Sequence, residues 1–218
     1  PLALLALTIS AFAIGTTEFV IVGLIPAIAD QLSIGIPLAG LLVSIYAVGV
    51  AVGAPLLTAL TGKMPRKLLL VGLMGLFTVG NLVAWLAPDY ETLVIARLLT
   101  GLAHGVFFSV GSTIATSLVP KEKAASAIAL MFGGLTVALV TGVPLGTFIG
   151  QHFGWRETFL AVSFIGLIAL LASLLLVPSD IPQRAAVSVK QQLSVLTHPR
   201  LLLIYAITAL GYGGVFTA

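Results

Sequence analysis

The chain has 218 residues, of which 59% are hydrophobic and 8% charged. A soluble domain carries about 25% charged residues, and ten basic plus seven acidic side chains cannot coat a water-soluble body of this size. That balance excludes an ordinary soluble enzyme, a nucleic-acid binder and a disordered chain, and leaves a polytopic membrane protein. The net charge of +3 comes from basic residues scattered between apolar runs, not gathered on one face as phosphate binding requires. With no Cys there is no disulfide framework and no thiolate metal site.

A helix needs about 20 apolar residues to cross the hydrocarbon core. Six runs meet this length: Leu2–Ala29, Pro37–Thr61, Leu68–Ala87, Thr92–Leu118, Ala124–Gly150 and Glu157–Val177. A seventh begins near Leu201 and is cut short at Ala218. Barrel strands alternate apolar and polar residues. The stretch Leu68–Phe77 shows no alternation, so the runs are expected to be helices that satisfy their own backbone hydrogen bonds. The reading is all-α: a six-helix transmembrane bundle over 1–178, a linker over 179–200, and the start of a further helix over 201–218. The chain starts and stops inside apolar runs, so natural termini are expected beyond both ends, and no basic region marks the first run as a signal peptide.

Charge predicts topology. Lys63, Arg66 and Lys67 follow the second run, Lys121 and Lys123 the fourth, and Arg184, Lys190 and Arg200 lie in the linker. With six alternating spans all eight fall on one side, opposite Asp30, Asp89, Glu91 and Glu157. The positive-inside rule puts that side, and the N-terminus, in the cytoplasm. Within the linker, Val189, Leu193 and Leu196 have the spacing of a short interfacial helix; an irregular connector is the alternative.

Small residues mark packing faces. Gly142, Gly146 and Gly150 recur every fourth residue in the fifth run, with Pro144 between them. Such a face brings two backbones close, and the proline frees a carbonyl and bends the helix. Gly49 with Gly53 and Gly101 with Gly105 form similar faces on the second and fourth runs.

Three polar residues interrupt the runs. Intramembrane ionisable groups are expensive and are rare without a partner or a watery cavity. At the helical rise, Glu18 lies about 15 Å from the outer end of the first run, Arg97 about 8 Å deep on the fourth, and His104 about 18 Å deep. Glu18 thus falls at a level between the other two. A buried carboxylate near a histidine and an arginine can couple proton binding to conformation. The alternatives are structural: Arg97 snorkelling or tying helices through backbone carbonyls, Glu18 as a hydrogen bonder, His104 as a packing residue. No carboxylate or second His stands four residues away to suggest a metal, and no phosphate loop or Ser–His–Asp order suggests an enzyme.

The chain resembles the N-terminal half of a major facilitator superfamily transporter, nearest to the bacterial 12-helix drug and sugar proton-antiporter group with its arabinose-efflux-like and purine-efflux-like members. The loop after helix two in that family reads G-x-L-a-D-r-x-G-r-[KR]. Here Lys63, Arg66 and Lys67 match, whereas Gly62 replaces the Asp and Pro65 the second Gly. The Arg-to-Gly element of helix four matches Arg97-Leu-Leu-Thr-Gly101, and the family associates that Arg with proton coupling. The helix-five antiporter pattern G-x-x-x-G-P-x-x-G-G has a variant in Gly142-Val-Pro144-Leu-Gly146. Gly154-Trp155-Arg156 with Phe159 resembles the start of helix six.

The resemblance implies a bacterial inner-membrane secondary transporter that exchanges a small organic solute (drug, sugar or nucleoside) for protons by alternating access. It has lipid as its surroundings, no cofactor, no nucleic-acid partner and a monomeric state. Glu18 would be the proton site, Arg97 would tune it, and His104 would assist it or touch solute. Gly142, Pro144 and Gly146 would bend and pack helix five. Lys63, Arg66 and Lys67 would anchor the cytoplasmic gate. Phe12, Phe19, Phe107, Phe108 and Phe132 are candidate pocket residues. A symporter or facilitator importing a nutrient is one alternative, and a non-transporting receptor or assembly subunit another.

Overall fold

A computed structural model describes residues 2–62, 64–181 and 199–217. Lys63 and the expected interfacial helix around Val189, Leu193 and Leu196 lie outside the described residues. The chain divides into two compact units, Pro1–Gln183 and Arg184–Ala218.

The first unit is a helical bundle: α1 Leu2–Gln31, α2 Ile36–Thr61, α3 Arg66–Leu86, α4 Tyr90–Ser117, α5 Ala124–Val137, α6 Val143–Phe153 and α7 Trp155–Leu176. Helices α5 and α6 form one apolar span joined by a π turn at Ala138–Gly142. Six spans are therefore long and apolar enough to cross a membrane. The second unit's described helix, α8 Pro199–Thr217, carries the shorter apolar segment Leu201–Gly211.

The helix ends follow local chemistry. Pro37 sits in the first turn of α2, where a missing N–H costs nothing. Asp89 caps α4 by accepting from the Thr92 amide at 2.8 Å. The Thr92 hydroxyl and amide together hold the Asp89 carboxyl below the usual carboxylate range. Gly154, between α6 and α7, has φ 106°, a conformation that side-chain-bearing residues rarely adopt. Its neighbour Arg156 lies over the Trp155 ring and donates to the Ala87 carbonyl at 2.7 Å, fastening the start of α7 to the end of α3.

The interior is built by α1, α3 and α4, with α2 packed on α4, α7 on α3, and α5 on α1. One buried apolar cluster includes Leu7, Ile14, Leu70, Phe77, Phe107 and Met131. A second, towards the acidic end, includes Ile21, Leu24, Leu42, Trp155 and Phe159. Large apolar side chains such as Val48, Leu130, Val140, Leu145, Phe164 and Leu175 stay exposed. In water such a surface is untenable; in a bilayer it costs nothing, because lipid is as apolar as leucine.

The glycine faces are contact surfaces. The Gly49 and Gly53 positions abut the backbone of Leu98, Gly101 and Leu102, so α2 and α4 approach with no side chain between them. Gly142 abuts Thr16, Gly146 abuts Val20 and Thr158, and Gly150 abuts Leu24. A π turn lies just before Pro144, closed by a bond from the Val143 amide to the Ala138 carbonyl.

Candidate functional site

Glu18 belongs to α1, Arg97 and His104 to α4, and the packing of the bundle brings Glu18 to 3.9 Å from His104, two turns along α4 from Arg97. Arg97 is 1% exposed, so it does not snorkel. Its guanidinium lies inside the bundle, donating from Nη1 to the Thr17 carbonyl at 2.9 Å and from Nε towards the Leu42 carbonyl at 3.5 Å. One arginine on α4 thereby ties α1 to α2. Its Nη2 is buried and has no hydrogen-bond partner among the described residues.

Below the guanidinium lies a residue that sequence reasoning missed. Arg97 Cζ sits 4.1 Å from the centroid of the Tyr46 ring, within cation–π range. The Tyr46 hydroxyl is 2.9 Å from His104 Nδ1. The same nitrogen lies 3.9 Å from Glu18 Oε2, and this is the only ion-pair approach among the described residues. His104 and Glu18 are 12% and 14% exposed, so each is largely buried.

Two further missed residues extend the network. Thr17 donates its hydroxyl to Asn81 Oδ1 at 2.8 Å, and Asn81 Nδ2 donates to the Phe77 carbonyl at 2.9 Å. All three of Thr17, Asn81 and Tyr46 are buried. A signal for Asn81 exists in the sequence: it is the one amide inside the third apolar run. Tyr46 is harder to find, since a tyrosine among valines and leucines reads as another apolar side chain.

On the other flank of His104 the aromatic residues line up. Phe108 stands 5.1 Å from the His104 ring, Phe132 of α5 stands 4.8 Å from Phe108, and Phe107 packs edge-on to Phe108. Phe107 is buried and Phe132 is 39% exposed, so of the expected pocket aromatics these form one row leading outward from His104. Phe12 and Phe19 on α1 are partly buried.

The remaining predicted residues lie elsewhere. Gly142 and Gly146 face α1, and Pro144 follows the π turn. Arg66 opens α3 at the basic end, with Nε buried and without a partner among the described residues, and Lys67 follows it. Among the described residues, no group of three or more His, Asp or Glu stands close enough to hold a metal ion.

Six apolar spans around a buried arginine and a largely buried glutamate and histidine define an integral membrane helical bundle. The chain belongs to the Major Facilitator Superfamily, whose family model matches residues 7–218. It is 55% identical over 98% of its length to the uncharacterized MFS-type transporter YtbD of Bacillus subtilis, covering 54% of that protein. It is 49% identical over 98% of its length to the inner membrane transport protein YdhP of Escherichia coli, covering 55% of it. It is 37% identical over its full length to a chloramphenicol resistance protein of Streptomyces lividans, covering 56% of it. The chain thus spans about half the length of the curated relatives it matches. Among solved structures, the proton:xylose symporter XylE matches with a TM-score of 0.72 over 82% of this chain and 45% of that one, at 16% identity, a likeness of fold alone. Its relatives are transporters, not enzymes.

Proposed function

We propose that the whole protein is a proton-coupled exporter of a small organic solute in the bacterial inner membrane, working by alternating access. The observation that carries this reading is the 3.9 Å approach of Glu18 to His104 inside the bundle, beside the buried Arg97. Ionisable groups held together within a membrane are functional by default, because hydrocarbon penalises them otherwise. The resistance name of the Streptomyces relative and the variant antiporter pattern at Gly142–Gly146 favour export over import.

Each group has a task. Glu18 binds a proton arriving from outside and yields it on the cytoplasmic side. Arg97, fixed by the Thr17 and Leu42 carbonyls, supplies a positive charge that does not move with the proton. His104 exchanges the proton with Glu18 or offers a ring nitrogen to solute. Gly142, Pro144 and Gly146 give the fifth span its close fit and its irregular turn, and Lys63, Arg66 and Lys67 anchor the cytoplasmic gate. In this arrangement the N-terminus and the segment 179–200 are cytoplasmic, and α8 begins a second bundle.

The test is flux. Full-length protein is reconstituted in liposomes with a trapped pH dye, and a proton gradient is challenged with drugs, sugars and nucleosides. Proton movement that requires one of these solutes and disappears in Glu18→Gln is the expected result. Solute-dependent proton movement that survives Glu18→Gln removes Glu18 from the proton path. Solute movement without proton flux makes the protein a facilitator, and proton and solute moving together makes it a symporter.

A further inference from the structure

Two groups address a single nitrogen. His104 Nδ1 lies 2.9 Å from the Tyr46 hydroxyl and 3.9 Å from Glu18 Oε2. A neutral imidazole carries one N–H and one bare nitrogen. Nδ1 therefore either accepts from Tyr46 or donates towards Glu18, and cannot do both.

The distances choose between these states. A carboxylate is a stronger acceptor than a phenol, and an Nδ1–H facing both would close on the carboxylate to about 2.8 Å. The observed order is the reverse, short to the phenol and long to the carboxylate. The guanidinium points the same way. A cation 4.1 Å above the Tyr46 ring centroid withdraws electron density, which makes the phenol a better donor and a poorer acceptor. Among the described residues, the charged or titratable groups around His104 are Glu18 from α1, Tyr46 from α2 and Arg97 from its own helix, while α5 presents the aromatic Phe132 behind Phe108.

We infer that Tyr46 is a positioning residue of the proton site: its hydroxyl donates to His104 Nδ1, fixes the ring as the Nε2–H tautomer, and withholds Nδ1 from Glu18. This deepens, and rests on, the reading of Glu18 and His104 as the proton-handling pair. Direct transfer between them then requires the Tyr46 bond to open. Tyr46 sits one turn from Gly49, in the close contact of α2 with α4, so relative movement of those helices opens or closes it.

The experiment is nitrogen-15 NMR of histidine-labelled full-length protein in lipid bilayers, with His104→Asn used to assign the signal. In the parent, Nδ1 is bare and Nε2 is protonated. Tyr46→Phe keeps the ring under Arg97 and removes only the hydroxyl, and it shifts the tautomer ratio towards Nδ1–H by roughly two- to tenfold, the worth of one hydrogen bond. A parent ring already protonated at Nδ1, or a ratio unchanged in Tyr46→Phe, overturns the inference. Should Tyr46→Phe fail to fold, the parent tautomer alone decides it.

Transport gives a second readout. Tyr46→Phe moves the pH profile of solute-coupled proton flux, and an unmoved profile counts against the inference. The two readings separate cleanly. Flux that survives Glu18→Gln removes the proton-site reading, while the tautomer still reports on Tyr46. Flux that Glu18→Gln abolishes, with tautomer and profile unmoved in Tyr46→Phe, removes Tyr46 alone.

Discussion

The contact between α2 and α4 permits a quantitative test of the packing that holds the site together. A methyl group added at Gly49 would lie 2.8 Å from the Leu98 carbonyl oxygen and 3.2 Å from the Gly101 Cα. Both neighbours are backbone, so no rotamer change relieves the clash. Restoring ordinary contact requires the two helices to part by about 0.5 Å. Gly40 on the same helix and Gly75 on α3 have nothing within 4 Å of the added methyl. Alanine in place of glycine favours a helix by up to about 1 kcal/mol, a gain common to all three sites. Overpacking costs about 1–3 kcal/mol, and only at Gly49. Gly49→Ala is therefore less stable than Gly40→Ala or Gly75→Ala by about 1–3 kcal/mol. Reversible unfolding of the full-length protein in bicelles measures that gap. Parting the helices also lengthens the Tyr46–His104 bond, so Gly49→Ala moves the pH profile of coupled flux as Tyr46→Phe does, while the two controls leave it in place. Equal stability in all three variants would refute the contact argument.

Arg97→Met tests the tie between helices. Removing one partner of a buried charged set costs about 3–5 kcal/mol, because the groups it served stay buried without it. Arg97→Met leaves the Thr17 and Leu42 carbonyls without their donor, so it melts below the parent and loses coupled proton flux; a variant as stable as the parent, or one that still couples, contradicts this. At Gly154, φ of 106° is a region that only glycine occupies cheaply. Gly154→Ala therefore destabilises by about 1–3 kcal/mol, although the added methyl itself meets open space, and a melting curve unchanged by it would disprove the strain argument.

The spans were legible because hydrocarbon imposes one demand, about 20 apolar residues per crossing, and the sequence meets it six times. Glu18, Arg97 and His104 were legible because charge inside such a run has no cheap explanation, and helical rise alone put Glu18 at a depth between the other two. Their partners were not legible. That Arg97 rests on Tyr46 and bonds to Thr17 depends on how three helices pack, and no periodicity within one helix encodes this. Backbone carbonyls such as those of Thr17 and Leu42 leave no mark in a sequence at all. The fifth run reads as one helix over Ala124–Gly150, yet it contains the π turn and continues to Phe153. A widened turn uses the same apolar residues as a regular one, so composition does not reveal it.

That turn has a consequence for how the chain tolerates changes in length. A π turn holds one residue more than the α-helix around it needs, without disturbing the flanks. On one side Gly134 seats against Thr8 and Phe12; on the other Gly146 and Gly150 seat against Val20 and Leu24. Removing a residue elsewhere in this span would swing one flank about 100° away from α1. Removing one within Ala138–Gly142 would merely regularise the helix and leave both flanks seated. The turn is thus the place in the span where a residue can be lost with both flanks left seated.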